Sequence, residues 1–197
     1  MISAIVLAAG RSERMGTPKM SLPWGETTVI GKVVSTLLGS QVDQVVVVTG
    51  GGRAEVEAAL RRLPPGLPVR SVHNPHYAAG EMLSSLQVGI AALGESVVAT
   101  LIALGDQPQM EEQVVTAIIS AYRQNGAGLV VPSYQMRRGH PMLVARPLWI
   151  ELLSLRPPQT LRELLLAHSD QIQYVNVDTP TILQDLDTPG DYQHYRP

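Results

Sequence analysis

The 197-residue chain contains no cysteine. That excludes disulfides, thiolate metal sites and a cysteine nucleophile, and it makes a reducing, cytoplasmic setting the expected one. Phenylalanine is absent too, and aromatic residues make up only 4% of the chain. A core must therefore be built from valine, isoleucine, leucine, alanine and methionine. No apolar run approaches the roughly 18 residues of a membrane span. The opening apolar stretch has no basic segment before it, so no signal peptide is expected. A dominant basic face is also missing: 15 Lys and Arg stand against 17 Asp and Glu, a formal net charge of −2. This argues against general nucleic-acid binding. Three familiar active-site signatures are absent as well: the phosphate loop G-x-x-x-x-G-K-[ST], the dinucleotide turn G-x-G-x-x-G and the hydrolase elbow G-x-S-x-G.

What is present is a chain that is 45% hydrophobic and 16% charged, a balance that disfavours disorder. Its length suits one domain over residues 1–197, and neither repeats nor long linkers divide it. Apolar runs at 5–9, 45–49, 69–72, 97–104, 128–132 and 172–177 predict strands. Between them, helical spacing predicts helices over 29–38, 55–63, 80–93, 112–122, 149–155 and 161–168. The 29–38 helix has Thr27 or Thr28 as its cap and Gly39 as its stop. Strand and helix alternate, so the expected fold is α/β, a mostly parallel central sheet covered by helices on both faces.

Polar residues collect at the ends of the predicted strands, where open α/β sheets place ligands. The first such place is the loop after Ile5–Ala9, bearing Arg11, Arg14 and Lys19 between the bends at Gly10 and Gly16. Three cations in nine residues suit a polyphosphate, approached closely by glycine backbone, although an ordinary solvated loop could share that composition. The strand at 97–104 ends at Gly105-Asp106-Gln107-Pro108. A carboxylate there is poorly solvated unless it holds a cation or donors. Asp106 is thus either a Mg²⁺ ligand, alongside phosphate oxygens, or a helix cap. Ser84 and Ser85 sit near the start of the 80–93 helix, where hydroxyls can meet a ligand or merely suit the first turn. Met82, Leu86, Ile90 and Leu93 form one apolar stripe, read as core. Further on, Arg137, Arg138, Gly139 and His140 could bind a second anion or form a solvated turn. His73 and His76 lack metal-type partners. Asp185 and Asp187 close the set.

The segment Leu7-Ala8-Ala9-Gly10-Arg11-Ser12-Glu13-Arg14-Met15-Gly16-Thr17-Pro18-Lys19 resembles, without mismatch, the L-A-[AG]-G-x-S-x-R-M-G-x-x-K signature of the MobA-like nucleotidyltransferases. Asn74-Pro75, Gly80 with Ser84-Ser85, Gly105-Asp106-Gln107-Pro108, Gly139-His140-Pro141 and Asp185-Leu186-Asp187-Thr188-Pro189 follow in that family's order. Their combination is similar to its molybdenum cofactor cytidylyltransferase branch. The resemblance implies a Rossmann-like three-layer sandwich of the nucleotide-diphospho-sugar transferase type. It implies Mg²⁺-dependent transfer of CMP from CTP to the phosphate of molybdopterin, with pyrophosphate released. By analogy Arg14, Lys19 and Asp106 would be catalytic, and Arg11 would hold the leaving pyrophosphate. Leu7, Ala8, Ala9, Gly10, Ser12, Lys19, Gly80, Ser84 and Ser85 would bind the nucleotide. Arg138, Gly139 and His140 would face the acceptor, and Asp187 would join Asp106 on the metal. Ala9 stands where the guanylyl branch usually has glycine, which favours CTP over GTP. A molybdenum enzyme would be the recipient of the product. The competing expectations are a guanylyltransferase, a transferase for another phosphorylated acceptor, and a non-catalytic assembly factor for a molybdenum hydroxylase. A nicotinamide dehydrogenase is disfavoured by the missing glycine fingerprint.

Overall fold

The structure is a computed structural model that describes residues 1–10, 12–78 and 82–197. In chain order its elements are β1 (Ile2–Ala8), β2 (Pro23–Trp24), β3 (Thr27–Thr28), α1 (Val29–Gly39), β4 (Gln44–Thr49), α2 (Arg53–Leu60), β5 (Val69–His73), α3 (Met82–Ala91) and β6 (Ala99–Leu104). There follow α4 (Glu112–Asn125), β7 (Leu129–Tyr134), β8 (Arg137–Arg138), β9 (Met142–Ala145), α5 (Trp149–Ser154), α6 (Leu161–Ala167), β10 (Ile172–Asn176) and α7 (Pro189–Tyr195). Among the described residues, eight strands form one sheet in the order β10-β7-β9-β6-β1-β4-β5, with β8 paired to β7.

β1 lies at the centre because it is apolar on both sides. Ile2, Ala4, Val6 and Ala8 pack with Ile30, Val33, Val34 and Leu37 of α1, and with α2 and α4. Ile5 points the other way, into a cluster with Leu83, Leu86 and Ile90 of α3 and with α5 and α6. The period-2 alternation of a strand thus feeds two cores, one on each face. The Thr28 hydroxyl caps α1 by accepting the Gly31 N–H at 3.1 Å.

β1 pairs in parallel with β4 on one side and β6 on the other, Leu7 lying beside Val48 and Leu104. The chain leaves β1 through α1 toward β4 and β5, then returns through α3 to β6. That reversal opens a crevice at the carboxyl ends of β1, β4 and β6, the usual ligand position in such sheets.

The sheet departs from the simple alternation in one region. After β7 the chain reverses at Gln135 and Met136, both at positive φ, into β8. It then inserts β9 antiparallel between β6 and β7. No helix separates these strands, so hydrophobic periodicity carried no sign of the reversal. The β2–β3 ribbon also falls in a stretch whose turn residues masked it. No helix among the described residues is long and apolar enough to cross a membrane.

Candidate active site

The loop after β1 is rolled into a short 3-10 turn at Glu13–Met15, flanked by left-handed Ser12 (φ 53°) and Gly16 (φ 70°). Met15 is its anchor, buried with Trp24, Val29 and Leu186. Burying Met15 turns its neighbour Arg14 outward, with 71% of that side chain exposed. The Ser12 hydroxyl accepts the Lys19 N–H at 3.2 Å, which closes the loop on itself. Lys19 opens a second 3-10 turn, Lys19–Ser21, and is buried together with Met20.

A buried ammonium requires partners, and Lys19 has them. Its Nζ donates to Asp106 Oδ2 at 2.5 Å and to the Leu186 carbonyl at 3.1 Å. Asp187 Oδ1 lies 3.7 Å from the same nitrogen and 3.0 Å from an Arg14 guanidinium nitrogen. Two loops distant in sequence, one after β6 and one before α7, are thereby tied to the first. The Leu186 N–H donates to the Asp106 carbonyl at 2.9 Å and locks the two acidic loops side by side. The cap of α7 adds to this: Asp191 Oδ2 accepts the N–H groups of Asp187 and Thr188 at 3.1 and 2.7 Å.

Asp185 is exposed, yet its carboxylate turns to Gln107 and accepts from the amide at 2.7 Å. Partial loss of solvent around it raises its pKa. The hydrogen bond from Gln107 opposes that rise, the charges of Asp106 and Asp187 add to it, and Lys19 opposes it.

These groups line a cleft of about 660 Å³ whose walls carry two unlike sets of residues. Arg14, Lys19, Asp106, Asp185 and Asp187 supply charge, while Leu7, Ala9, Ala78, Met82, Leu104 and the Tyr77 ring supply apolar surface, with Ser85 among the lining residues. A smaller cleft of about 350 Å³ adjoins it and shares Gly10, Ser12 and Tyr77.

Of the residues expected from sequence, Leu7, Ala9, Gly10, Ser12, Arg14, Lys19, Ser85, Asp106 and Asp187 line the larger cleft. Ala8 does not: strand alternation turns its methyl into the α1 core. Ser84 is half-buried and is not among the lining residues. Arg11 and Gly80 lie outside the described residues. Arg138, Gly139 and His140 are not among the lining residues. Arg138 instead stacks on Tyr174, its guanidinium carbon 5.4 Å from the ring centroid, and its Nε donates to the phenol oxygen at 2.8 Å. Gly139 is buried and its N–H donates to the Pro132 carbonyl at 3.0 Å. The His140 ring sits under the end of β6, its Nδ1 3.2 Å from the Ile102 carbonyl. Burial pushes its pKa below the ordinary histidine value, against the pull of that carbonyl and of Asp106.

Four further residues have roles at the site that the sequence did not assign to them. Gln107 orients Asp185. Met82, expected in the core, is 48% exposed and lines the cleft. Tyr77 walls both clefts. Asn74, fully buried, donates its amide to the Ser84 and Ser85 hydroxyls at 2.9 and 3.0 Å. An asparagine beside a proline at a strand end was the available signal for Asn74. For the other three, only the assembled cleft reveals the role.

No cluster of three or more His, Cys, Asp or Glu among the described residues forms a ready metal cage. Asp106 and Asp187, both held at Lys19, still fit Mg²⁺, which takes one or two carboxylates and completes its shell with water and substrate phosphate.

Residues 4–172 match the family described as the MobA-like NTP transferase domain. The chain is 30% identical over 191 residues to the molybdenum cofactor cytidylyltransferase of Escherichia coli (strain K12), covering 97% of this chain and 93% of that protein. Among solved structures, Rv0371c from Mycobacterium tuberculosis H37Rv superposes with a TM-score of 0.82 at 30% identity, over 98% of this chain and 96% of that one. A nucleotidyl transferase from Methanothermobacter thermautotroptrophicus (Mth528) superposes with a TM-score of 0.82 at 28% identity, over 100% of this chain and 96% of the other.

Proposed function

The chain belongs to the MobA-like NTP transferases, and on that premise we propose that it transfers CMP from CTP to the terminal phosphate of molybdopterin. The observation that carries this reading is the buried Lys19–Asp106 pair at the mouth of β1 and β6, flanked by Arg14 and Asp187. The charged and the apolar lining residues match the two halves of a nucleotide. Phosphates would meet Arg14 and Lys19, and the base would lie against Ala9 and its apolar neighbours.

Lys19 Nζ has three N–H donors. Asp106 and Leu186 take two of them, and the third, on the side of Asp187, would turn to a phosphate oxygen. There it would offset negative charge that grows as the bond from the α-phosphorus to the bridging oxygen breaks. Arg14, more exposed, would follow the departing pyrophosphate. An acceptor phosphate oxygen attacks the α-phosphorus, and no base is required because that oxygen already carries charge; positioning does the rest. Asp106 and Asp187 would hold Mg²⁺, whose contribution when bound is to draw electron density from the phosphate oxygens. The acceptor would approach the α-phosphate from the His140 side. The product, molybdopterin cytosine dinucleotide, would then pass to a molybdenum enzyme.

The test is a pyrophosphate-release assay crossing CTP, GTP, ATP and UTP with molybdopterin and other phosphorylated acceptors. Turnover with CTP and molybdopterin is expected to exceed the other combinations. Equal rates with GTP would overturn the base assignment. Nucleotide binding with no release from any pair would favour a cofactor-delivery protein instead.

A further inference from the structure

We propose that Tyr77 is the platform on which the nucleobase rests; this deepens the nucleotidyltransferase reading and depends on it. Aromatic side chains are scarce in this chain, and among the described residues Tyr77 is the aromatic that lines the larger cleft while also walling the smaller one. It stands near Ala9: a Cβ added at Gly50 would run into the Ala9 carbonyl oxygen and lie 2.8 Å from Tyr77 Cβ. It is half-buried and held from several directions. Behind it the His73 ring lies 6.0 Å away, centroid to centroid, at 56°. Its backbone N–H donates to the Asn74 carbonyl at 3.3 Å, in a turn whose side-chain acceptor is Asn74 Oδ1, 2.9 Å from the His76 N–H. The same Asn74 side chain fixes the hydroxyl of Ser85 on the cleft lining. One buried amide therefore sets both the ring and a hydrogen-bonding group beside it.

Gly51 makes room for the ring. A Cβ added there would lie 3.0 Å from Tyr77 Cε2, closer than carbon atoms normally approach. A side chain at Gly51 would push the ring out of its place.

A flat heteroaromatic ring is the chemistry that gains most from such a surface. Stacking uses the π-face that every base has, so it adds affinity without choosing among bases. The contribution is thus separable from selection of CTP at Ala9.

Equilibrium binding of CTP and of inorganic tripolyphosphate, each with Mg²⁺, tests this on the full chain and without reference to turnover. Tyr77→Ala is expected to weaken CTP by roughly tenfold and to leave tripolyphosphate unchanged, which also reports an intact fold. Tyr77→Phe should match the wild type, because the face and not the hydroxyl is used. Gly51→Val should weaken CTP as Tyr77→Ala does. Wild-type CTP affinity in Tyr77→Ala, or an equal loss of CTP and tripolyphosphate, would overturn the proposal. Wild-type protein that binds neither probe would instead overturn the nucleotidyltransferase reading on which it rests.

Discussion

At the scale of single residues, the site is governed by one buried cation and the carboxylates that share it. Lys19 is 8% exposed, and an ammonium so placed is tolerated because Asp106, Asp187 and a carbonyl surround it. Lys19→Ala is expected to lower pyrophosphate release by about 10²–10³-fold, the loss typical when one preorganised charge partner of a transition state is removed. Asp106→Asn should lower it comparably, and retained release in either variant would remove that residue from the catalytic set. His140 makes a prediction of another kind. Its folded pKa lies below the ordinary 6.5. As pH falls below that value the unfolded chain gains a proton that the folded ring resists, so stability is lost on acidification down to the folded pKa. Urea unfolding at about pH 8 and about pH 5 should show a larger loss for the wild type than for His140→Gln.

Secondary-structure elements do more than carry these residues. The α7 cap is built from Thr188 and Asp191, and Asp191 also receives the Asp187 N–H. Asp191→Ala should therefore reduce turnover by freeing Asp187, and leave the strength of CTP binding at the base end unchanged; unaltered kcat would dissociate the cap from the site. In α3, Gly89 lies against β1, where an added Cβ would stand 2.6 Å from Ile5 Cγ2 and 3.1 Å from Val48 Cγ2. Alanine at an ordinary helix position gains up to ~1 kcal/mol over glycine, but overpacking a close contact costs about 1–3 kcal/mol. The clash should win, and Gly89→Ala should lower the denaturant midpoint.

For the molecule as a whole, the cleft joins three loops that separate parts of the sheet deliver, so a ligand that bridges them should stabilise the entire fold. CTP with Mg²⁺ is expected to raise the melting temperature in proportion to the logarithm of CTP concentration above its Kd. Chelation by EDTA should abolish both this increase and pyrophosphate release. A CTP-induced increase that survives EDTA unchanged would show that Asp106 and Asp187 hold no metal of consequence.

Much of this was legible locally. The β-branched run of β4, the helical stripe of α1 with its threonine cap, and the glycine-bounded cationic loop all depend on neighbours within a few residues. Short-range rules of burial and capping decide such features, and the α/β class follows from their alternation. Asp106 stood out for the same reason, as a charge at the end of an apolar strand. The partners of Lys19 could not be read that way, since Asp106 and Leu186 are 87 and 167 residues distant. Nor could the antiparallel insertion of β9, which has no helical crossover to announce it. Ala8 faces the core and Met82 the cleft because the direction of a side chain depends on what packs against its element. Sequence alone thus determined the α/β class, the parallel strands and which residues their loops carry; tertiary structure decided how the last strands insert, which charges meet, and where an aromatic ring stands.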